Sequence, residues 1–223
     1  MHNFVRCVLM CCTVAMLSGC GKNSIKTKTE KNEYSVPNGT ATIETISVVS
    51  KNGKATNDVL QNISTQILDG FIEKSKTEKK VTLDVKSRQT YNDGKIINVL
   101  FEGEMIKDEN KREKFRISKL IEAETGKILS IDDMFCDDEW KKYVDAEFEK
   151  VMEEKEYSEL WEKPCISIWN EEDFYIENGK LVLYFPPYKL SYYKKGFVEF
   201  EFDIEKLNSF LRENLQKLHK KQR

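Results

Sequence analysis

Apolar residues recur with a helical period in three parts of the chain. From Thr56 to Ser75 they return every three or four positions, which predicts a long amphipathic helix. Similar stripes predict a second helix from Trp140 to Met152 and a C-terminal helix from Leu207 to Leu218. Because stripes of this kind normally face a hydrophobic core, they are given no functional role.

Other segments alternate apolar and polar residues with a period of two, which is typical of half-buried strands. Asn92-Asp93-Gly94 and Asn178-Gly179 separate pairs of these segments and predict hairpin turns, since Asn and Gly tolerate positive φ. Ser130 and Asp133 indicate a capping box before the second helix. Short turns join neighbouring strands antiparallel, so we expect an α+β fold, an antiparallel sheet with helices packed on one face. The predicted strands are Thr40–Ser50, Val81–Val85, Ile97–Phe101, Phe115–Ile117, Phe174–Glu177, Leu181–Phe185 and Val198–Phe202.

The N-terminal segment has the pattern of an export signal. Cys7–Leu17 is an uncharged apolar run of eleven residues, which is too short to cross a bilayer as a helix. Leu17-Ser18-Gly19-Cys20 follows and resembles the lipobox of bacterial lipoproteins. We therefore expect residues 1–19 to be a lipoprotein signal peptide and Cys20 to be the lipid attachment site. The alternative is an ordinary secretory signal in which Cys20 has no role.

This N-terminal interpretation determines the predicted location and domain order. The protein is expected at the cell membrane, lipid-anchored through Cys20 and facing outside the cytoplasm. Residues 20–37 are polar and lack periodicity, which predicts a flexible tether. Residues 38–78 form a strand-helix part that either belongs to the following domain or makes a small subdomain. Residues 79–223 form the main domain.

Composition narrows the chemistry that the chain can perform. The 36 Lys and Arg against 38 Asp and Glu argue against a general nucleic-acid binder. The only histidines are His2, in the predicted signal, and His219, so His-based triads and zinc sites have little to be built from. We expect no metal, no cofactor and no nucleic-acid partner. Cys136 and Cys165 either pair in a disulfide or are two buried apolar side chains.

Two surface features are candidates for ligand binding. Residues 131–180 hold 17 acidic and 6 basic residues, which indicates either a solvated helix face or a surface that attracts a cationic partner. A tyrosine-rich segment follows Pro186-Pro187, and the prolines stiffen it. These tyrosines either anchor a ligand or pack in the core, and packing is favoured for the neighbouring Tyr184 and Phe185. The candidate binding residues are Asp137, Asp138, Glu139, Tyr188, Tyr192 and Tyr193.

Two longer segments resemble the motifs of a bacterial extracytoplasmic domain of unknown function. They are Thr125–Phe135 (TGKILSIDDMF) and Asp173–Gly196 (DFYIENGKLVLYFPPYKLSYYKKG). This domain is the lysozyme-sensing half of the anti-sigma-V factor and a non-catalytic module of a peptidoglycan deacetylase. The resemblance implies that residues 79–223 form an anti-sigma-V-like extracytoplasmic domain. Lys194-Lys195 departs from the Ala pair that this domain often has, so a contact made by that loop will differ.

The resemblance implies a binding function rather than a reaction. Neither a sigma-binding segment nor a deacetylase domain is recognised in the sequence, so we expect those activities not to carry over. We expect a non-catalytic, membrane-anchored ligand-binding module at the cell envelope, with lysozyme or another cationic protein as the partner. The alternative is a protein that binds wall glycan, or hydrolyses it through paired carboxylates.

Overall fold

The computed structural model describes residues 15–17, 24–108, 111–154, 173–187, 196–212 and 215. The chain divides into two compact units. Unit 1 contains residues up to Ile117 together with Ile121–Lys127, and unit 2 contains Ser118–Leu120 and the chain from Ile128 onward. Residues 38–78 belong to the same unit as the strands that follow them up to Ile117, and the predicted domain 79–223 is divided between the two units.

Unit 1 is built on a sheet and one long helix, α1 (Lys54–Thr77). Its strands are β1 (Ala15–Leu17), β2 (Thr27–Val36), β3 (Gly39–Val48), β4 (Val81–Asn92), β5 (Ile96–Lys107) and the larger part of β6 (Lys111–Glu122). Strands β3 and β4 pair in parallel, with Gly39 opposite Val81, because α1 connects them as a crossover. The pairs β1–β2, β2–β3 and β4–β5 are antiparallel, and β1 lies within the predicted signal peptide, residues 1–19. The two-residue β7 (Ile128–Leu129) belongs to unit 2.

The predicted first helix and first hairpin are confirmed. α1 places Leu60, Ile67 and Phe71 in the core of unit 1, so its apolar stripe faces the sheet as the periodicity predicts. Asn92 to Gly94 lies in the turn between β4 and β5, and the Asp93 carboxylate accepts hydrogen bonds from the backbone N–H groups of Lys95 and Ile96. Side-chain acceptors of this kind fix the turn, and the turn fixes the register of the hairpin.

The predicted tether over residues 20–37 is largely wrong. Thr27–Val36 is strand β2, which pairs with β3 along ten residues from Thr27 opposite Val48 to Val36 opposite Gly39. Asn92 also holds the segment just before β2: its Oδ1 accepts from the Ile25 N–H at 3.1 Å, and its Nδ2 donates to the Ile25 carbonyl at 2.8 Å. Long-range pairing therefore orders a segment whose own sequence has no apolar period.

Unit 2 contains a three-stranded antiparallel sheet and helix α2 (Glu139–Glu154). The sheet order is β10-β9-β8, from β8 (Phe174–Glu177), β9 (Lys180–Phe185) and β10 (Val198–Asp203). The predicted hairpin turn is confirmed, since Asn178 and Gly179 have φ of 51° and 75°, as a type I′ turn requires.

The predicted capping box also forms. The Ser130 backbone N–H donates to Asp133 Oδ2 at 2.9 Å, and the Asp133 N–H donates to Ser130 Oγ at 3.2 Å. It closes the 3-10 turn Asp132–Met134, which precedes α2 by four residues. The reciprocal bonds stabilise the approach to the helix rather than the first turn of the helix itself.

The predicted C-terminal helix from Leu207 to Leu218 is wrong in its described part. Helix α3 covers only Ile204–Leu207, and Leu211 makes an antiparallel bridge with Phe135. Arg212 strengthens this arrangement, because its backbone N–H donates to the Met134 carbonyl and its Nε donates to the Phe135 carbonyl at 2.9 Å. Backbone groups that would have formed the next helical turn bond here to the segment before α2.

Candidate ligand-binding surface

The three acidic residues selected from the sequence lie together at the start of α2. Asp137, Asp138 and Glu139 are all exposed, while Trp140 next to them is fully buried. Asp137 Oδ1 accepts a hydrogen bond from the Glu139 backbone N–H at 3.0 Å. Carboxylates at a helix N-terminus are stabilised by the helix dipole and by the free N–H groups of the first turn. The sequence therefore concentrates negative charge where the helix tolerates it best.

Lysines of the same helix pair with these carboxylates. Lys141 lies 2.7 Å from Asp138 and 3.2 Å from Asp132, and Lys142 lies 2.7 Å from Glu139. The hydrogen bond that Lys141 donates to Asp138 raises the pKa of Lys141, and the hydrogen bond that Lys142 donates to Glu139 raises the pKa of Lys142. Both lysines are thus protonated at neutral pH and reduce the local negative field.

A second acidic row lies on β10 and was not selected from the sequence. Glu199, Glu201 and Asp203 are exposed, whereas Phe200 and Phe202 between them are buried. The alternation in Val198–Asp203 (VEFEFD) predicts a strand. The same alternation places the three carboxylates on one face of that strand.

Hydrogen bonds and ion pairs fix the acidic row of β10. Glu199 Oε1 accepts from the Tyr175 hydroxyl at 2.8 Å, and Glu201 forms an ion pair with Lys180 of the neighbouring strand. The hydrogen bond that Lys180 donates to Glu201 raises the pKa of Lys180. The three carboxylates are thereby held in fixed positions on one face of the strand. A flexible acidic segment would not fix them in this way.

We call the first of these groups, Asp137, Asp138 and Glu139, the acidic surface of unit 2. The carboxylates of β10 form a separate group, because Phe148 of α2 packs on Phe200 with ring centroids 4.6 Å apart and the carboxylates lie on the opposite face of the strand. Unit 2 holds 22 acidic and 16 basic residues, and residues 131–180 within it hold 17 acidic and 6 basic ones. An excess of this size leaves the field of unit 2 negative even with the lysine pairs in place.

Aromatic side chains near these strands serve packing, as expected for two of them. Tyr184 and Phe185 are each 2% exposed, which confirms their predicted core role. Trp140 stacks on Phe135 with ring centroids 4.2 Å apart and an interplanar angle of 14°. Packing of this kind anchors α2 to the rest of unit 2.

Five of the residues predicted from the sequence lie outside the described residues: Cys20, Cys165, Tyr188, Tyr192 and Tyr193. Cys136 is described and is exposed, with its Sγ 3.5 Å from the Leu211 carbonyl. The expectation that this side chain is buried is therefore wrong. Its position next to the Phe135–Leu211 bridge leaves the thiol facing solvent.

Unit 1 contains an open groove of about 770 Å³ between β2, the end of β3 and the first turns of α1. Its lining includes Lys28, Glu30, Ser47, Asp58 and Gln61, and the described lining holds no aromatic side chain. Sugar-binding grooves use aromatic rings as platforms, so the groove does not match the aromatic-lined type expected of a wall-glycan binder.

The described residues contain neither a metal-binding cluster nor a helix that could span a membrane. In that part of the chain, no group of three or more His, Cys, Asp and Glu side chains is placed to hold a metal ion. None of the described helices is long and apolar enough to span a bilayer.

Comparison with known proteins gives a family match within unit 2. The sequence model of the family described as "Protein of unknown function (DUF3298)" matches residues 132–205, which include the 3-10 turn before α2 and extend into α3. No curated protein matches the chain in sequence.

Two solved structures share the fold. A DUF3298 family protein from Pseudomonas aeruginosa PAO1 superposes with a TM-score of 0.64 at 12% identity, covering 86% of this chain and 96% of its own. A member of the same family from Bacteroides fragilis NCTC 9343 gives a TM-score of 0.63 at 13% identity, covering 90% of this chain and 99% of its own. At these identities the likeness establishes the α+β fold alone.

Proposed function

We propose that this chain is a non-catalytic lipoprotein, anchored in the cell membrane through Cys20, whose unit 2 binds a cationic protein outside the cytoplasm. The observation that supports this most directly is the excess of 22 acidic over 16 basic residues in unit 2, which is concentrated in residues 131–180 with 17 acidic and 6 basic residues. A field of that sign attracts positively charged proteins over distances beyond direct contact.

The ion pairs within the acidic surface are compatible with such a partner. Glu139–Lys142 and Asp138–Lys141 are (i, i+3) pairs on an exposed helix face, and exposed pairs contribute little to stability. The lysine side chains can therefore move away from the carboxylates at a small cost in free energy. The carboxylates can then accept hydrogen bonds from arginine or lysine of the partner.

Lysozyme is the first partner to test. It is a cationic protein, and the domain that residues 125–135 and 173–196 resemble includes the lysozyme-sensing half of the anti-sigma-V factor. Tyr188, Tyr192 and Tyr193 supply the apolar anchors in this proposal, because tyrosine combines a large contact area with a polar tip.

Surface plasmon resonance with the acylated chain and lysozyme tests the binding. We expect saturable binding that weakens when Asp137→Asn, Asp138→Asn and Glu139→Gln are combined. The matched control combines Asp69→Asn and Glu73→Gln on α1 with Glu78→Gln directly after it, which changes the net charge equally and also opens one lysine pair, Glu73–Lys76. Absence of binding at high micromolar lysozyme rejects this partner, and equal weakening by the control set rejects the acidic surface as the site.

Anchoring is tested separately by palmitate labelling. Cys20 supplies the single lipid site of the proposal, so Cys20→Ala should abolish labelling and leave the protein unprocessed or released from the membrane. The mature protein should begin at Cys20 in a mass spectrum. Labelling that persists in Cys20→Ala would show that the lipobox interpretation is wrong.

A further inference from the structure

The chain between the predicted lipid site and the folded part of unit 1 is short. Ile25 is held by both of its backbone polar groups on the Asn92 side chain, at 3.1 and 2.8 Å. It lies only five positions after Cys20, and five extended residue steps reach at most about 18 Å. A tether running to residue 37 would have allowed several times that distance, and the ordering of β2 removes that freedom.

Hydrogen bonds gather three loops at the end of unit 1 where this chain emerges. The Val49 N–H donates to the Lys26 carbonyl at 2.8 Å, and the Ala123 N–H donates to the Lys95 carbonyl at 2.8 Å. Asn52 Nδ2 donates to Glu124 Oε1 at 3.2 Å. We call the surface formed by Lys26, Val49–Lys54, Asp93–Lys95 and Ala123–Lys127 the exit end.

The exit end has the chemistry of a surface that meets lipid headgroups. Lys26, Lys51, Lys54 and Lys95 are exposed, and the apolar side chain of Val49 is 52% exposed. The carboxylate of Asp93 is occupied by backbone N–H groups of its own turn. Exposed lysines near a bilayer gain free energy from anionic lipids, and a small apolar side chain can enter the interface.

Exposed lysines also occur at the opposite end of unit 1, so charge alone does not identify the end that would contact the membrane. Lys79 and Lys80 are exposed before the start of β4, at the other end of the sheet. β4 has twelve residues, so the two ends are separated by about 40 Å. A chain that reaches at most about 18 Å can bring the exit end to the membrane but leaves Lys79 and Lys80 in solvent.

We propose that the exit end of unit 1 lies against the anionic phospholipid surface, held there by the short chain to Cys20 and by its exposed lysines. The inference rests on the anchoring part of the proposed function. It adds a fixed contact face, so unit 1 stands on the bilayer at one end rather than moving freely at the end of a long tether.

Fluorescence quenching in vesicles tests this orientation. The acylated chain, with Cys136→Ser and Cys165→Ser, receives a fluorescent label at Lys95→Cys or, as the matched control, at Lys80→Cys. It is reconstituted in phosphatidylglycerol-containing vesicles that carry a headgroup quencher. We expect strong quenching at position 95 and little at position 80. Combining Lys26→Glu with Lys51→Glu should reduce quenching at position 95, whereas Lys74→Glu with Lys79→Glu should not.

The experiment distinguishes failure of the lipid anchor from failure of the proposed contact face. Palmitate labelling of the same preparation reports anchoring, and its absence overturns both the anchor and the contact face. Labelled protein with equal quenching at positions 95 and 80 overturns the contact face alone. Quenching at position 95 that the Lys26 and Lys51 reversals leave unchanged overturns the contribution of the lysines.

Discussion

Close contacts at single residues determine how unit 1 packs. A Cβ added at Gly103 on β5 would lie 2.1 Å from the Phe115 ring on β6, whereas a Cβ at Gly70 on α1 would meet nothing within 4 Å. Glycine at position 103 therefore creates the space for an aromatic ring to cover the neighbouring strand, and glycine at position 70 has no such role.

This contrast predicts opposite effects of the same substitution. Gly103→Ala should destabilise the protein by about 1 to 3 kcal/mol, because the ring must move from its packed position. Gly70→Ala should stabilise it by about 0.5 to 1 kcal/mol, because it removes a flexible residue from a helix interior. Urea unfolding of both variants measures the difference, and a loss of stability in both would contradict the packing described for Phe115.

Tyr91 predicts a residue-level response to alkaline pH. Burial, reinforced by the neighbouring Asp93 carboxylate, raises the pKa of Tyr91 above its ordinary value of 10.0. The neutral form is favoured in the folded state, so this contribution to stability is complete below the unfolded pKa and is lost as pH rises above it. Tyr91→Phe should lose less stability than the parent protein between pH 9 and 11, as thermal unfolding across about that range would measure. Parallel loss in both proteins would contradict the assignment.

Some residue-level predictions succeed because the signal is local. Burial of Tyr184 and Phe185 follows from the continuous apolar run Leu181–Phe185 after an Asn-Gly turn, which is typical of a central strand such as β9. The exposure of Cys136 could not be predicted in this way, because it depends on the bridge between Phe135 and Leu211. Leu211 lies 75 residues after Cys136 in the chain.

At the scale of elements, the strongly periodic segments match the structure and the polar or terminal ones do not. α1 and the hairpins β4–β5 and β8–β9 carry their own apolar pattern and turn residues. β2 (TKTEKNEYSV) is polar along most of its length and becomes a strand because β3 pairs with it. Pairing between strands is not visible in a single-segment pattern, which explains why β2 was predicted to be a tether.

Asn92 provides an element-level prediction for the start of β2. Its side chain bonds to Ile25 N–H and C=O, to Gln89 and to the Gly94 N–H. Asn92→Ala should cost about 1 to 3 kcal/mol, because it leaves these backbone groups without their partner.

Hydrogen exchange locates the effect of this substitution. Faster exchange should appear first at the Ile25 amide in Asn92→Ala. Asn52→Ala, on the same end of unit 1 but with one exposed hydrogen bond, serves as the control and should change stability by less than about 0.5 kcal/mol. Unchanged protection of Ile25 in Asn92→Ala would contradict the role of Asn92 in holding the chain.

At the scale of the molecule, charge differs between the two units. Unit 2 holds 22 acidic and 16 basic residues, whereas unit 1 holds 16 acidic and 20 basic residues. The excess acidity of residues 131–180 is visible in the sequence. The exposure of the three carboxylates on one face of β10 depends on strand pairing, which the sequence does not show directly.

Substitutions of the acidic residues and of the tyrosines should change different rate constants of binding. Neutralising Asp137, Asp138 and Glu139 should mainly slow association with a cationic partner, because long-range attraction acts on the encounter. Tyr188→Ala or Tyr192→Ala should mainly speed dissociation, at a cost of about 1 to 4 kcal/mol if the ring is a hot spot. Rate constants from surface plasmon resonance separate the two effects, and equal effects of both kinds of variant on dissociation would contradict the division of roles.

The most direct test of the central claim is the association rate constant for lysozyme measured at several ionic strengths. Attraction by the acidic surface of unit 2 predicts a rate that falls steeply with added salt. The slope should become shallower in the Asp137, Asp138 and Glu139 variant and stay unchanged in the Asp69, Glu73 and Glu78 control, which has the same net charge. An association rate that is independent of salt, or a slope that both variants flatten equally, would contradict the account.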